Sequence, residues 1–148
     1  MKYTIEHISQ GENEVILRCH SPSAEMEQLI RFLESQNRKL IGNKDGIRTI
    51  LEPSQILYVE SVEGKTFAYA ESEVFQMEYS LAQLGQLLGA VNFFRCSKSM
   101  ILNIDKVREL RSLASNRIEA TMCNGERIMI SRTYASDFRK RLKGVRQQ

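Results

Sequence analysis

The sequence predicts an α+β protein: a mainly-β region of short strands with a short helix, preceded by a small β-β-α extension. Three observations carry that expectation. From Gly46 onward, short runs rich in β-branched and aromatic residues alternate with turn signals. Apolar residues instead repeat at helical spacing in Met26, Leu29, Ile30 and Leu33, and again in Leu81, Leu84 and Leu88. The pair Asn124-Gly125 stands between two strand-like runs and marks a hairpin, with a type I′ turn expected.

In chain order, Tyr3–Ile8 and Glu14–Cys19 read as strands around a turn at Gly11. Ser21 is the expected cap of the first helix, with Pro22 at its first position. The polar stretch 37–46 contains Gly42 and Gly46 and reads as a boundary, which gives an extension over 1–45 and a second domain over 46–148. In that second domain Arg48–Leu51, Ile56–Glu60, Thr66–Ala70 and Val74–Tyr79 are expected strands. Ser80 and Gln83 have capping-box spacing ahead of a short helix. Strands over Lys106–Leu110, Arg117–Cys123 and Glu126–Ile130 follow, then a helix opened by Ser131 that stacks Tyr134, Phe138 and Leu142. The basic tail RKRLKGVRQQ is expected to fray.

A chain of 148 residues buries one good core, or one core with an appendage. No apolar run approaches the roughly 18–20 residues of a membrane span, and the N-terminus lacks the apolar core of a signal peptide. Cys19, Cys96 and Cys123 are far apart and have no metal-ligand spacing, so they read as thiols in a reducing cytosol. Neither a phosphate-cradling glycine loop nor a nucleophile–histidine pattern is present. A non-enzyme without metal or cofactor is the expectation.

Charge is unevenly distributed. Residues 1–45 carry net −1, residues 46–94 net −4 and residues 95–148 net +8. A positive C-terminal third suits a polyanionic partner. The stretch FFRCSKSMILN sharpens the point. A continuous strand would set Phe94 and Cys96 towards the core and then bury Lys98 beside Met100. An unpaired buried ammonium costs several kcal/mol, so the strand must break near Ser97–Ser99 and project that loop outward. Lysine and arginine neutralise phosphates, and serine hydroxyls bond phosphates or base edges. Two more turns carry similar chemistry: Lys65-Thr66 after Glu63-Gly64, and Arg132 in the first turn of the last helix.

These segments resemble the LytTR DNA-binding domains of bacterial transcription regulators. The resemblance runs from about Gly46 to Leu142 and rests on ILYVESVEGKTFAY, SLAQLGQLL, FFRCSKSMILNIDKV and NRIEATMCNGERIMISRTYASDFRKRL. It implies a compact mainly-β fold that enters successive major grooves of double-stranded DNA through loops and bends the duplex. The implied contacts are Lys65, Thr66, Arg95, Ser97, Lys98, Ser99 and Arg132, with Asn103 bracing the loop. Ser97 departs from the family, where histidine is frequent. The resemblance also implies a cytoplasmic homodimer on direct or inverted promoter repeats. About 45 residues precede the matching region, too few for a receiver domain, so no aspartyl-phosphate switch is expected. Stand-alone relatives often answer to a co-encoded membrane protein, and the apolar stripe Met26–Leu33 could meet such a partner or a second subunit. The competing reading is a protein-interaction or sensory module whose basic end is incidental.

Overall fold

The computed structural model describes residues 1–36, 38–89 and 92–146. Seven antiparallel strands form one sheet: β1 (Leu40–Lys44), β2 (Ile47–Leu51), β3 (Tyr58–Val62), β4 (Lys65–Tyr69), β5 (Val74–Met77), β6 (Phe93–Ser97) and β7 (Met100–Asn103). Their order is β2-β1-β5-β4-β3-β7-β6. A second sheet, ordered β10-β9-β8, contains β8 (Val107–Leu113), β9 (Arg117–Met122) and β10 (Arg127–Ile130). The helices are α1 (Ala24–Gln36), α2 (Leu81–Leu88) and α3 (Arg132–Arg146).

The larger sheet is a middle layer. Successive strand residues point to opposite faces, so its central strands are apolar at adjacent positions. Val59, Ala68, Phe75 and Ile101 pack with Leu84 and Leu88 of α2 on one face. Tyr58, Cys96 and Leu102 pack on the other, against Ile118, Ala120 and Ile130 of the small sheet and Phe138 of α3. Each element thereby covers its apolar side. One side-chain hydrogen bond also ties the seven-stranded sheet to the loop between β9 and β10. The Tyr58 hydroxyl donates to the Glu126 carboxylate. Its ring stacks on Tyr69 with centroids 4.4 Å apart.

Several local expectations hold for their stated reasons. Ser80 Oγ accepts from Gln83 N–H at 3.1 Å while Gln83 Oε1 accepts from Ser80 N–H at 2.8 Å, the reciprocal box that satisfies two helix-start donors. Helix α1 forms, but its cap is Ser23, whose Oγ accepts from Met26 N–H at 3.3 Å. Helix α3 runs on to Arg146 through most of the tail expected to fray; Gln147 and Gln148 lie outside the described residues.

Other expectations are corrected. No strand forms over 3–8 or 14–19. Tyr3, Ile5, Val15 and Ile16 are exposed there, and no neighbouring strand takes up that backbone. A strand is stable only as part of a sheet, so the local pattern alone does not suffice. The stretch expected as a boundary contains β1, which pairs with both β2 and β5. Its glycine is a packing residue: a Cβ on Gly42 would lie 2.7 Å from Phe75 Cβ. The type I′ geometry occurs at Asp45-Gly46 and Glu63-Gly64, where φ is positive at both central positions. At Asn124 it is not: Met122 N–H bonds Glu126 O at 2.7 Å, which leaves a three-residue loop with only Gly125 left-handed.

Two outcomes follow. Gly42→Ala is expected to cost about 1–3 kcal/mol in denaturant unfolding, because backbone and the Phe75 base must move apart. Burial first, then the Glu126 hydrogen bond and charge, raise the Tyr58 phenol well above its usual 10.0. The fold thus holds that proton more tightly than the unfolded chain does. Its contribution is complete below the unfolded value near 10.0 and is lost as pH rises above it. Stability measured across the alkaline range should therefore fall less steeply for Tyr58→Phe than for the parent.

Candidate nucleic-acid interface

Three turns meet at one end of the molecule, and backbone hydrogen bonds explain why. Strand β3 pairs with β7 from Tyr58↔Leu102 to Glu60↔Met100. The next step continues the ladder, with Ser61 N–H donating to Ser99 O at 2.8 Å. The Glu63-Gly64 and Lys98-Ser99 turns therefore lie side by side at the same sheet end. The third turn joins them through Ser131 N–H, which donates to Cys96 O at 2.9 Å. Helix α3 starts at the next residue and is pinned on β6 by Phe138, whose ring meets Phe94 edge-on at 5.2 Å.

Within the middle turn the strand register shifts between Arg95 and Ser97, the expected break. Arg95 folds back over it. Its Nε donates to Ser97 O at 2.9 Å, and its other guanidinium nitrogen donates to Lys98 O. Ser97 Oγ accepts from Ser99 N–H at 3.3 Å. Both side chains thus shape the turn from within, half-buried, while Lys98 and Ser99 stand exposed.

The other sequence candidates divide in the same way. Lys65 and Arg132 are exposed. Thr66 is 5% exposed and pairs with Met77 on the α2 side of the sheet, so its hydroxyl is not presented at the surface. Asn103 is a brace, but of a different loop. It lies at the far end of β7, where Nδ2 donates to Ile56 O at 2.9 Å and Oδ1 accepts from Asp105 N–H at 3.1 Å. Thr133 is also exposed in the first turn of α3 and was not among the sequence candidates. The backbone groups of Ser61 and Cys96 that join the turns have no side-chain signature at all.

Some cations elsewhere on the surface meet carboxylates: Lys44–Glu73 at 3.4 Å, Arg48–Glu78 at 3.8 Å and Arg111–Glu119 at 3.3 Å. Among the described residues, Lys65, Lys98 and Arg132 form no ion pair. Glu63 on the first turn is the nearby anion in sequence and tempers the field there. Unneutralised cations on clustered turns suit phosphate oxygens and the acceptor edge of guanine.

Cys96 underlies the cluster. It is fully buried, and desolvation pushes its thiol up to about 12, so it packs as a neutral group. Cys19 and Cys123 are exposed. Alkylation of the native protein should modify these two, with the third reacting only after denaturation.

Among the described residues, no group of three or more histidine, cysteine or acidic side chains is placed to hold a metal ion. Among the same described residues, no helix is long and apolar enough to cross a membrane.

Comparison with known proteins places the fold in a family. Over 142 residues the chain is 31% identical to the sensory transduction protein LytT of Bacillus cereus, covering 96% of this chain and 53% of that protein. It is 28% identical over 95 residues to the transcriptional regulatory protein YpdB of Escherichia coli, covering 63% of this chain and 39% of YpdB. The chain thus spans about half or less of the length of these curated relatives. A solved LytTr DNA-binding domain from Bacillus cereus superposes with a TM-score of 0.67 at 30% identity, covering 70% of this chain and 95% of that domain. The LytTr DNA-binding domain model matches residues 47–143, and the chain belongs to that family.

Proposed function

We propose that this protein binds double-stranded DNA in a sequence-specific manner as a bacterial transcriptional regulator. The observation that carries the reading is the interlock of three turns that bear unpaired, exposed cations at one end of a rigid β scaffold. Lys65 and Lys98 neutralise phosphates of one duplex. Arg132 reads a guanine edge in the major groove. Ser99 supplies a hydroxyl beside Lys98, and Arg95 and Ser97 act indirectly by holding the Lys98 turn. Thr66 has no contact role in this reading.

The same reading makes the protein a cytoplasmic, non-catalytic regulator whose copies act in pairs on repeated half-sites. The half-buried apolar stripe of α1 is then the candidate contact for a membrane-protein regulator.

Binding isotherms over a salt series test the reading. Neutralising two phosphates per copy gives a slope of about −1.8 in log K against log salt. Lys98→Ala should weaken all duplexes evenly and make that slope shallower by about 1. Arg132→Ala should cost about 1–3 kcal/mol at cognate sites and far less on random DNA. Equal affinity of the parent for cognate and random duplexes would rule out sequence readout. Salt-independent binding to a protein partner would favour an interaction module instead.

A further inference from the structure

Strand β8, seven residues long, is an edge of the small sheet, so the backbone groups of its alternate residues that do not face β9 form an open outer ladder. Most of its residues are exposed. Leu110 at its centre is 41% exposed, beside a shallow groove of about 330 Å³ lined in part by Ile104, Val107, Phe138 and Leu142. An open edge of this kind is a template for another strand.

We propose that β8 is the contact surface for a second copy of this chain, with antiparallel β8 strands joined about a two-fold axis through Leu110. The occupant follows from the strand's own sequence, VRELRSL. Two strands joined by a two-fold axis normal to one continuous sheet keep the same faces, so the axis must pass through a residue pair of identical position. Centring on Arg108, Glu109 or Arg111 sets like charges directly opposite. Centring on Ser112 pairs Arg111 with Leu113. Only Leu110 sets Leu110 against itself, with Glu109 facing Arg111 of the second copy on both sides of the axis. Cross-strand pairs of opposite charge stabilise a sheet, and like charges destabilise it.

The groups around that contact permit the register. Glu109 is 70% exposed and meets Arg108 only at 3.9 Å. Arg111 is 68% exposed and already shares Glu119 with Arg127. The register shift between Val107 and Glu109 and the charges of β8 deter foreign strands, which do not match this pattern. The edge also lies across the small sheet from β10, which leads into the Ser131 junction, so pairing leaves the cationic turns uncovered. By contrast, the apolar stripe of α1 is already partly covered within one copy, with Met26 at 9% exposure. This proposal does not rest on the DNA-binding reading.

One strand pair buries less than the roughly 800 Å² per partner of a stable complex, so association should depend on concentration. Sedimentation equilibrium of the full chain should give a mass that rises from one chain towards two. Glu109→Arg alone, or Arg111→Glu alone, sets like charges opposite and should weaken association roughly tenfold. The double variant restores the pairing and should recover it, with Arg127 still beside Glu119. Leu110→Cys, with Cys19→Ser and Cys123→Ser, keeps β8 intact and should oxidise to a covalent dimer across the axis. A parent that stays monomeric at every concentration, single reversals that leave the mass curve unchanged, or a Leu110→Cys variant that fails to cross-link would each overturn the proposal.

Discussion

Two backbone hydrogen bonds organise the end of this protein that bears the three cationic turns. Ser61 N–H to Ser99 O extends the β3–β7 ladder by one step beyond its paired strands, and Ser131 N–H to Cys96 O fastens the start of α3 to the same hairpin. Neither bond is strong alone, since a typical intramolecular hydrogen bond is worth about 1 kcal/mol net. Their effect is geometric. They make three turns that are distant in sequence into one rigid group. Cations held in this way need lose little freedom when an anionic partner arrives, which is how preorganisation favours binding.

The scaffold behind them is built to resist deformation. Its middle sheet is apolar on both faces, with α2 closing one side and the small sheet plus α3 closing the other. Phe138 is fully buried and touches β6, the strand that carries the Lys98 turn. Burying a side chain of that size contributes about 2–3 kcal/mol, so α3 cannot drift from β6 cheaply. Arg95 adds a local constraint by bonding two carbonyls of the turn it precedes. Side chains that look alike as surface cations in sequence thus differ in the fold: Lys98 stands exposed on the turn, and Arg95 fixes that turn.

Much of this was legible from the residues, for identifiable reasons. Runs such as VFQM and the Ser80–Gln83 spacing act locally, so strands and the α2 cap followed from them. The break at Ser97–Ser99 followed from the cost of burying Lys98. Thr66 carried a signal too: it alternates with Lys65 and Phe67 and shares a face with Ala68, so one of the adjacent pair Lys65-Thr66 had to point inward. What stayed hidden depends on distant partners. The polar, glycine-bearing run of β1 is a strand because β2 and β5 flank it, and Gly42 is small because Phe75 crosses it. The apolar residues at 3–8 and 15–17 had the pattern of strands without an edge to join. Arg95 revealed its role only once a turn had brought two carbonyls within reach.

The central claim is that one duplex engages all three turns at once. Amide resonances of Gly64, Ser99 and Thr133, followed while a short cognate duplex is added to the labelled protein, address it most directly. The account predicts that all three shift together and fit a single dissociation constant. Shifts confined to one turn, or separate constants for each, would contradict it.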